Sequence, residues 1–267
     1  MINTVLNLFR GPMDYVRSTQ VWNSIFRHGI PRDRRTRVMA IMSNVFLHLH
    51  PVAIRKSGIR LSFTWCMGGL TFFLFLAETI NGVLLMFYYR PVVEYAYADI
   101  IALRSYVTLG LLREMHRWGA HAMIITIWLH MMRVFLTGSY KPPREFNWGV
   151  GVILLVLTLL LSFTGYLLPW DQLAIWAITV GSNMGKATPL MGMSGPFTDF
   201  LVLPGNVPVF TVRSDAAYLL LAGTFVGENA LMRFYVLHCI ALPLAAATLI
   251  ATHFWRIRKD GGISGPL

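Results

Sequence analysis

The chain has 267 residues, of which 55% are hydrophobic and only 13% charged. A soluble domain carries about 25% charged residues, so the deficit, with a mean hydropathy of +0.56, excludes an ordinary water-soluble protein. The net charge of +11 does not point to nucleic acid: the basic residues run directly into a membrane span and form no nucleic-acid-binding motif.

Taken in chain order, residues 1–60 come first. They hold ten Lys/Arg against Asp14 and Asp33, so eight of the eleven net positive charges lie there. Such a juxtamembrane segment is expected as a surface or amphipathic arm on the cytoplasmic face. Residues 1–30 lack the apolar core of a signal peptide, and none is expected. His28, His48 and His50 of this arm read as surface residues.

Residues 61–267 are expected to form an all-α membrane domain, a bundle of four transmembrane helices. Four stretches reach the roughly 20 apolar residues that a bilayer crossing needs: span A near 61–89, span B near 115–137, span C near 149–168 and span D near 231–255. Helix is the structure that satisfies the backbone of an isolated span in lipid. Four crossings put both termini on one side, together with the short B–C loop that carries Lys141 and Arg144 and the C-terminal Arg256, Arg258 and Lys259. The basic side is therefore expected to be cytoplasmic, here the N side, and the opposite one the P side. The connection 169–230 is far longer than usual and is expected as short helices lying on the P surface.

Span B contains His116 and His130, 14 residues apart; span D contains His238 and His253, 15 apart. At about 100° per residue these steps fall about 40° short of, and about 60° beyond, four full turns. Each helix thus shows both imidazoles on nearly one face, about 21 Å apart along the axis. The helix directions pair His116 with His238 on the P side and His130 with His253 on the N side. Any one of these could be a packing histidine, but ionisable groups in a membrane are costly, and four in two matched layers suit two haem irons with paired imidazole ligands. His121 lies about 140° round the helix from His116 and is not counted as a ligand.

Spans A and C carry a parallel regularity: Gly68 and Gly82, Gly151 and Gly165, each pair 14 apart. Gly68 and Gly151 fall in the N layer and Gly82 and Gly165 in the P layer. Glycine inside a helix is unfavourable by about 1 kcal/mol against alanine, and the matched positions read as clearance for two porphyrin edges. Glu78 of span A has two readings, a proton relay or a hydrogen bond to a neighbouring helix. Cys66 and Cys239 lie in apolar stretches, where a disulfide is not expected.

The segments EMHRWGAH, RVFLTGSYKPPRE, FTGYLLPWDQ, RFYVLHCIALP and HFWRIRKDGGISGPL, with FTWCMGGLTFF and NGVLLMFYYRP in span A, resemble the short four-helix cytochrome b of the b6f type, within the cytochrome b/b6 family. The resemblance covers roughly residues 61–172 and 230–267. It implies four histidines ligating two haems b, low-potential on the P side and high-potential on the N side. It further implies a thioether from Cys66 to a third, c-type haem, with Arg258 beside that haem. Arg113 and Arg117 are placed to pair with propionates of the P-side haem, although snorkelling to the interface is an equally ordinary role for them.

By this resemblance the chain is an electron-transfer subunit of a quinol:cytochrome c oxidoreductase of the bacterial inner membrane. It would carry electrons from quinol on the P side to quinone on the N side, with proton translocation. The chain lacks the PEWY-type segment that completes the family's P-side quinol site. The expected partners are therefore a companion b-like membrane subunit, a Rieske iron–sulfur protein and a c-type cytochrome, in a dimeric complex with lipid and quinone. The alternatives are a non-bifurcating di-haem conduit between a quinone pool and a dehydrogenase or multihaem cytochrome, and a histidine-relay transporter without haem.

Overall fold

The computed structural model describes residues 11, 14–25, 31–44, 47–49, 53–54, 56 and 58–264; His28 and His50 lie outside them. In the arm, α1 is Gln20–Ile25 and α2 is Arg34–Ser43. Asp33 caps α2 by accepting a hydrogen bond from the Thr36 amide at 2.9 Å, which satisfies one of the free N–H groups of the first turn. A 3₁₀ turn, Leu47–Leu49, follows.

The membrane helices come next. After α3 (Leu61–Thr64) the chain turns, and α4 runs Met67–Met86; α5 is Val93–Ser105, α6 Val107–Leu136 and α7 Glu145–Leu167. The connection holds α8 (Gln172–Lys186), a 3₁₀ turn (Thr198–Phe200), the two-residue strands β1 (Val202–Leu203) and β2 (Val207–Pro208), and α9 (Ala216–Leu221). The last span is α10 (Glu228–Val236), a π-helical segment Leu237–Ala241, and α11 (Leu242–Lys259). Four stretches, Met67–Met86, Gly110–Leu136, Glu145–Leu167 and Glu228–Lys259, are long and apolar enough to cross a membrane. Large apolar side chains such as Phe73, Ile80, Trp128, Ile153 and Leu244 point outward from them, as they would into lipid.

Two details differ from the sequence expectation. Span A does not run unbroken from 61: Trp65 and Cys66 take left-handed φ values of 50° and 51°, and the membrane helix begins at Met67. The long connection is not helical throughout, since β1 and β2 pair as a short antiparallel hairpin.

Span A packs chiefly on span B, and span C on span D. At the connection end, Tyr89, Leu167, Trp170, Ile178, Leu231 and Phe234 form one buried cluster. There the Tyr89 hydroxyl donates to the Leu168 carbonyl at 2.6 Å, tying the end of span A to that of span C. Arg90, just past span A, holds Asp99 of α5 by its amide at 2.9 Å, its Nε at 3.0 Å and its Nη2 at 2.6 Å. At the opposite end Arg258 donates to the His48 carbonyl, and Ser139 of the B–C loop meets Ser264 at 2.5 Å. Arm, B–C loop and C-terminus thus share one end.

The π segment resolves the unequal histidine spacings. Pro243 has no N–H, so it cannot donate to the Cys239 carbonyl as an α-helix would require. The ladder slips instead, with the Leu242 amide donating to Leu237, five residues back. A π-bulge takes up one extra residue within a helix. The 15-residue interval in span D therefore turns through much the same angle as the 14-residue interval in span B.

Candidate functional site

The four spans leave a gap between B and D that the histidine rings face from both sides. His116 and His238 form one layer near the connection end, with ring centroids 6.0 Å apart. His130 and His253 form the other near the arm end, 6.4 Å apart. The pairing inferred from helix direction is the pairing found. Between the layers lie Phe75, Met123, Ile127 and Ala246, an apolar cluster.

The spacing of each pair suits a metal between two imidazoles. Two metal–nitrogen bonds of about 2.0–2.1 Å, plus a little over 1 Å from each nitrogen to its ring centre, make about 6.3 Å. His238 Nδ1 stands 3.0 Å from the Leu161 carbonyl and 3.3 Å from the Thr164 hydroxyl. A carbonyl only accepts, so Nδ1 carries the proton and Nε2 keeps its lone pair for a metal. Among the described residues no cluster of three or more His, Cys, Asp or Glu gathers to hold a metal ion. Two protein ligands per metal leave the remaining positions to a planar chelator, and a porphyrin is the group with that demand.

Each of the four glycines lies against one of the four imidazoles. A Cβ on Gly68 would sit 3.2 Å from Cε1 of His130, on Gly82 3.3 Å from Cε1 of His116, on Gly165 2.5 Å from Cε1 of His238, and on Gly151 4.0 Å from Cε1 of His253. The layer assignment read from the sequence is the one observed. The protein atoms that a Cβ would meet at each position belong to the imidazole ring.

A cavity of about 690 Å³ surrounds the connection-end pair and is lined by Gly82, His116, Gly165 and His238. Arg104, Arg113 and Arg117 also line it, a cationic rim suited to carboxylates. Arg113 and Arg117 share Glu114, at 2.9 and 2.6 Å. Arg104 was not singled out in the sequence, because only the fold brings α5 back over this layer. In the arm-end layer Arg133, three residues beyond His130, has a buried Nε without a partner among the described residues. Its spacing from His130 could have marked it.

Cys66 is a free, exposed thiol in the left-handed turn before α4, two residues from the Gly68 that abuts His130. Arg258 is directed to the arm, where it meets the His48 carbonyl and, at 2.9 Å, the Met42 sulfur. His121 lies on the cavity lining, with its Nδ1 2.7 Å from the Arg117 carbonyl of its own helix. Cys239 is free and half-buried in the π segment.

A four-helix membrane bundle with two imidazole pairs at haem spacing defines the class, a membrane cytochrome of the b type. Comparison with known proteins agrees. Residues 121–266 match the family described as cytochrome b (N-terminal)/b6/petB. Cytochrome b6 of Gracilaria tenuistipitata var. liui is 41% identical over 204 residues, which are 76% of this chain and 85% of that one. The menaquinol:cytochrome c reductase cytochrome b subunit of Bacillus subtilis (strain 168) is 38% identical over 236 residues, 88% of this chain and 96% of the relative. Among solved structures, the hyperthermophilic respiratory Complex III shares the fold, with a TM-score of 0.69 at 23% identity over 95% of this chain and 56% of that one.

The chain belongs to the cytochrome b/b6 family. It is a multi-pass membrane protein that binds haem b and serves electron transport.

Proposed function

We propose that this chain is the haem-bearing subunit of a quinol:cytochrome c oxidoreductase, moving electrons across the membrane between a quinol-oxidising and a quinone-reducing side. The observation that carries the reading is the pair of imidazole layers, 6.0 and 6.4 Å between ring centroids. In it, His116 and His238 hold one haem b and His130 and His253 the second. A haem with two imidazole ligands supplies one-electron transfer and has no open position for bond-making chemistry. The apolar cluster between the layers excludes water and keeps the interior dielectric low. Arg104, Arg113 and Arg117 offset the propionate charge in one layer, and Arg133 does so in the other.

In the same reading Cys66 forms a thioether to a third haem beside the arm-end layer; its exposure and its place two residues from Gly68 support this. Residues 1–60 form a basic arm on the cytoplasmic surface of a bacterial inner membrane, and residues 61–267 the haem-binding domain. Both termini are cytoplasmic, which places His116 and His238 on the P side. A companion b-like subunit, a Rieske iron–sulfur protein and a c-type cytochrome complete a dimeric complex.

The test is purification of the intact complex, followed by quinol:cytochrome c reductase assay and haem analysis. The reading expects two extractable haems b per chain and quinol-dependent cytochrome c reduction. A complex without b-type absorbance, as a transporter would give, overturns the haem reading. Quinol oxidation by a complex lacking any Rieske centre overturns the bifurcating reading in favour of a simple conduit.

A further inference from the structure

Among the described residues, His116 is the one of the four histidines that faces a carboxyl group. Its Nδ1 lies 2.9 Å from Oε2 of Glu78, one helix away in span A. As they stand the two atoms do not meet hydrogen-bond geometry, and both are buried without a hydrogen-bond partner among the described residues. By contrast His238 Nδ1 meets a neutral carbonyl, and the Nδ1 atom of His130 is buried without a partner among the described residues. Glu78 also lines the cavity of its layer. It occupies a notch: a Cβ on Gly119 would overlap its Oε1. Gly119 thus makes room for this carboxyl group, while the four layer glycines make room for imidazoles.

We propose that Glu78 is the positioning residue of the connection-end layer, accepting a hydrogen bond from Nδ1 of His116 and lowering the reduction potential of the metal that His116 holds. The proposal rests on the haem ligation given above. A carboxylate on the outer nitrogen of a ligating imidazole fixes its tautomer and orientation and raises its basicity. A more basic ligand favours the oxidised, more positive metal. Among the described residues the opposite layer has no such partner, so the effect separates the two layers, and the gradient runs from the connection end toward the arm end. Gly119 belongs to the same device because any larger residue there displaces the carboxyl oxygen.

The experiment is a redox titration of the b-type absorbance in the purified complex, for wild type, Glu78→Gln and Gly119→Ala. The wild type is expected to titrate in two steps. Glu78→Gln should raise the lower step about tenfold in its equilibrium constant, which is about 59 mV for a one-electron couple, and leave the upper step in place. Gly119→Ala should move the same step in the same direction while retaining the carboxyl group, and it decides the matter alone if Glu78→Gln does not assemble. A lower step that stays in place in the variants that assemble, a shift of the upper step alone, or an equal shift of both overturns the proposal. A wild type with no b-type steps instead overturns the haem reading on which it rests.

Discussion

Gly165 and His238 are the most tightly fitted of the four glycine–imidazole pairs: a methyl group on Gly165 would lie 2.5 Å from the Cε1 atom of His238. Contacts that short do not occur, and neither the span C backbone nor a ring held by Leu161 and Thr164 has room to give way. Glycine at 165 is therefore a condition for the imidazole standing where it does.

The four glycine–imidazole distances grade the outcome of alanine substitution. Gly165→Ala should lose about one of the two haems, with overpacking costing about 1–3 kcal/mol. Gly68→Ala and Gly82→Ala, at 3.2 and 3.3 Å, should weaken retention in their own layers, and Gly151→Ala, at 4.0 Å, should keep both haems. Pyridine-haemochrome content per chain measures the series; an unchanged Gly165→Ala beside a depleted Gly151→Ala would contradict it.

The π segment gives a paired prediction. Removing Ile240 leaves His238 and His253 14 positions apart and lets the span return to regular α-helix, so both haems should remain. Adding one alanine after Ile124 in span B, which has no π segment to absorb it, rotates His116 by about 100° against His130. That variant should lose one haem, read from the reduced-minus-oxidised spectrum.

Cys66 predicts a covalent product. After acid-acetone extraction the chain should retain one haem, visible by haem staining on a denaturing gel, and Cys66→Ala should retain none. Cys239→Ala should leave the stain unchanged, because that thiol is half-buried in the π segment.

Asp99 predicts a pH dependence. The Arg90 guanidinium holds its carboxyl below the ordinary value of 3.8. A lowered folded-state pKa stabilises the fold above the unfolded value, and the support is lost as pH falls through the folded one. The clamp at the connection end should accordingly hold at pH 7 and fail only below about 3.8. Thermal unfolding in detergent should show Asp99→Asn lowering stability near neutrality and flattening the acid limb.

Much of this was legible in the residues themselves. Lipid allows an isolated span only one backbone solution, so span number and helical type follow from hydropathy; the 3.6-residue period then assigns His116, His130, His238 and His253 to layers. The glycines at 14-residue intervals fall into the same layers for the same reason.

Tertiary structure decided what depends on contact between distant segments. A periodicity argument places Gly165 in the layer of His238 but cannot say how closely the ring approaches its backbone. It treats the interval in span D as regular helix, because the slip at Pro243 depends on which carbonyl each amide finds. Nor does any spacing within span A or span B bring Glu78 to His116 over Gly119. Local sequence governs the direction in which each side chain leaves its helix, whereas its partner is chosen only when the helices pack.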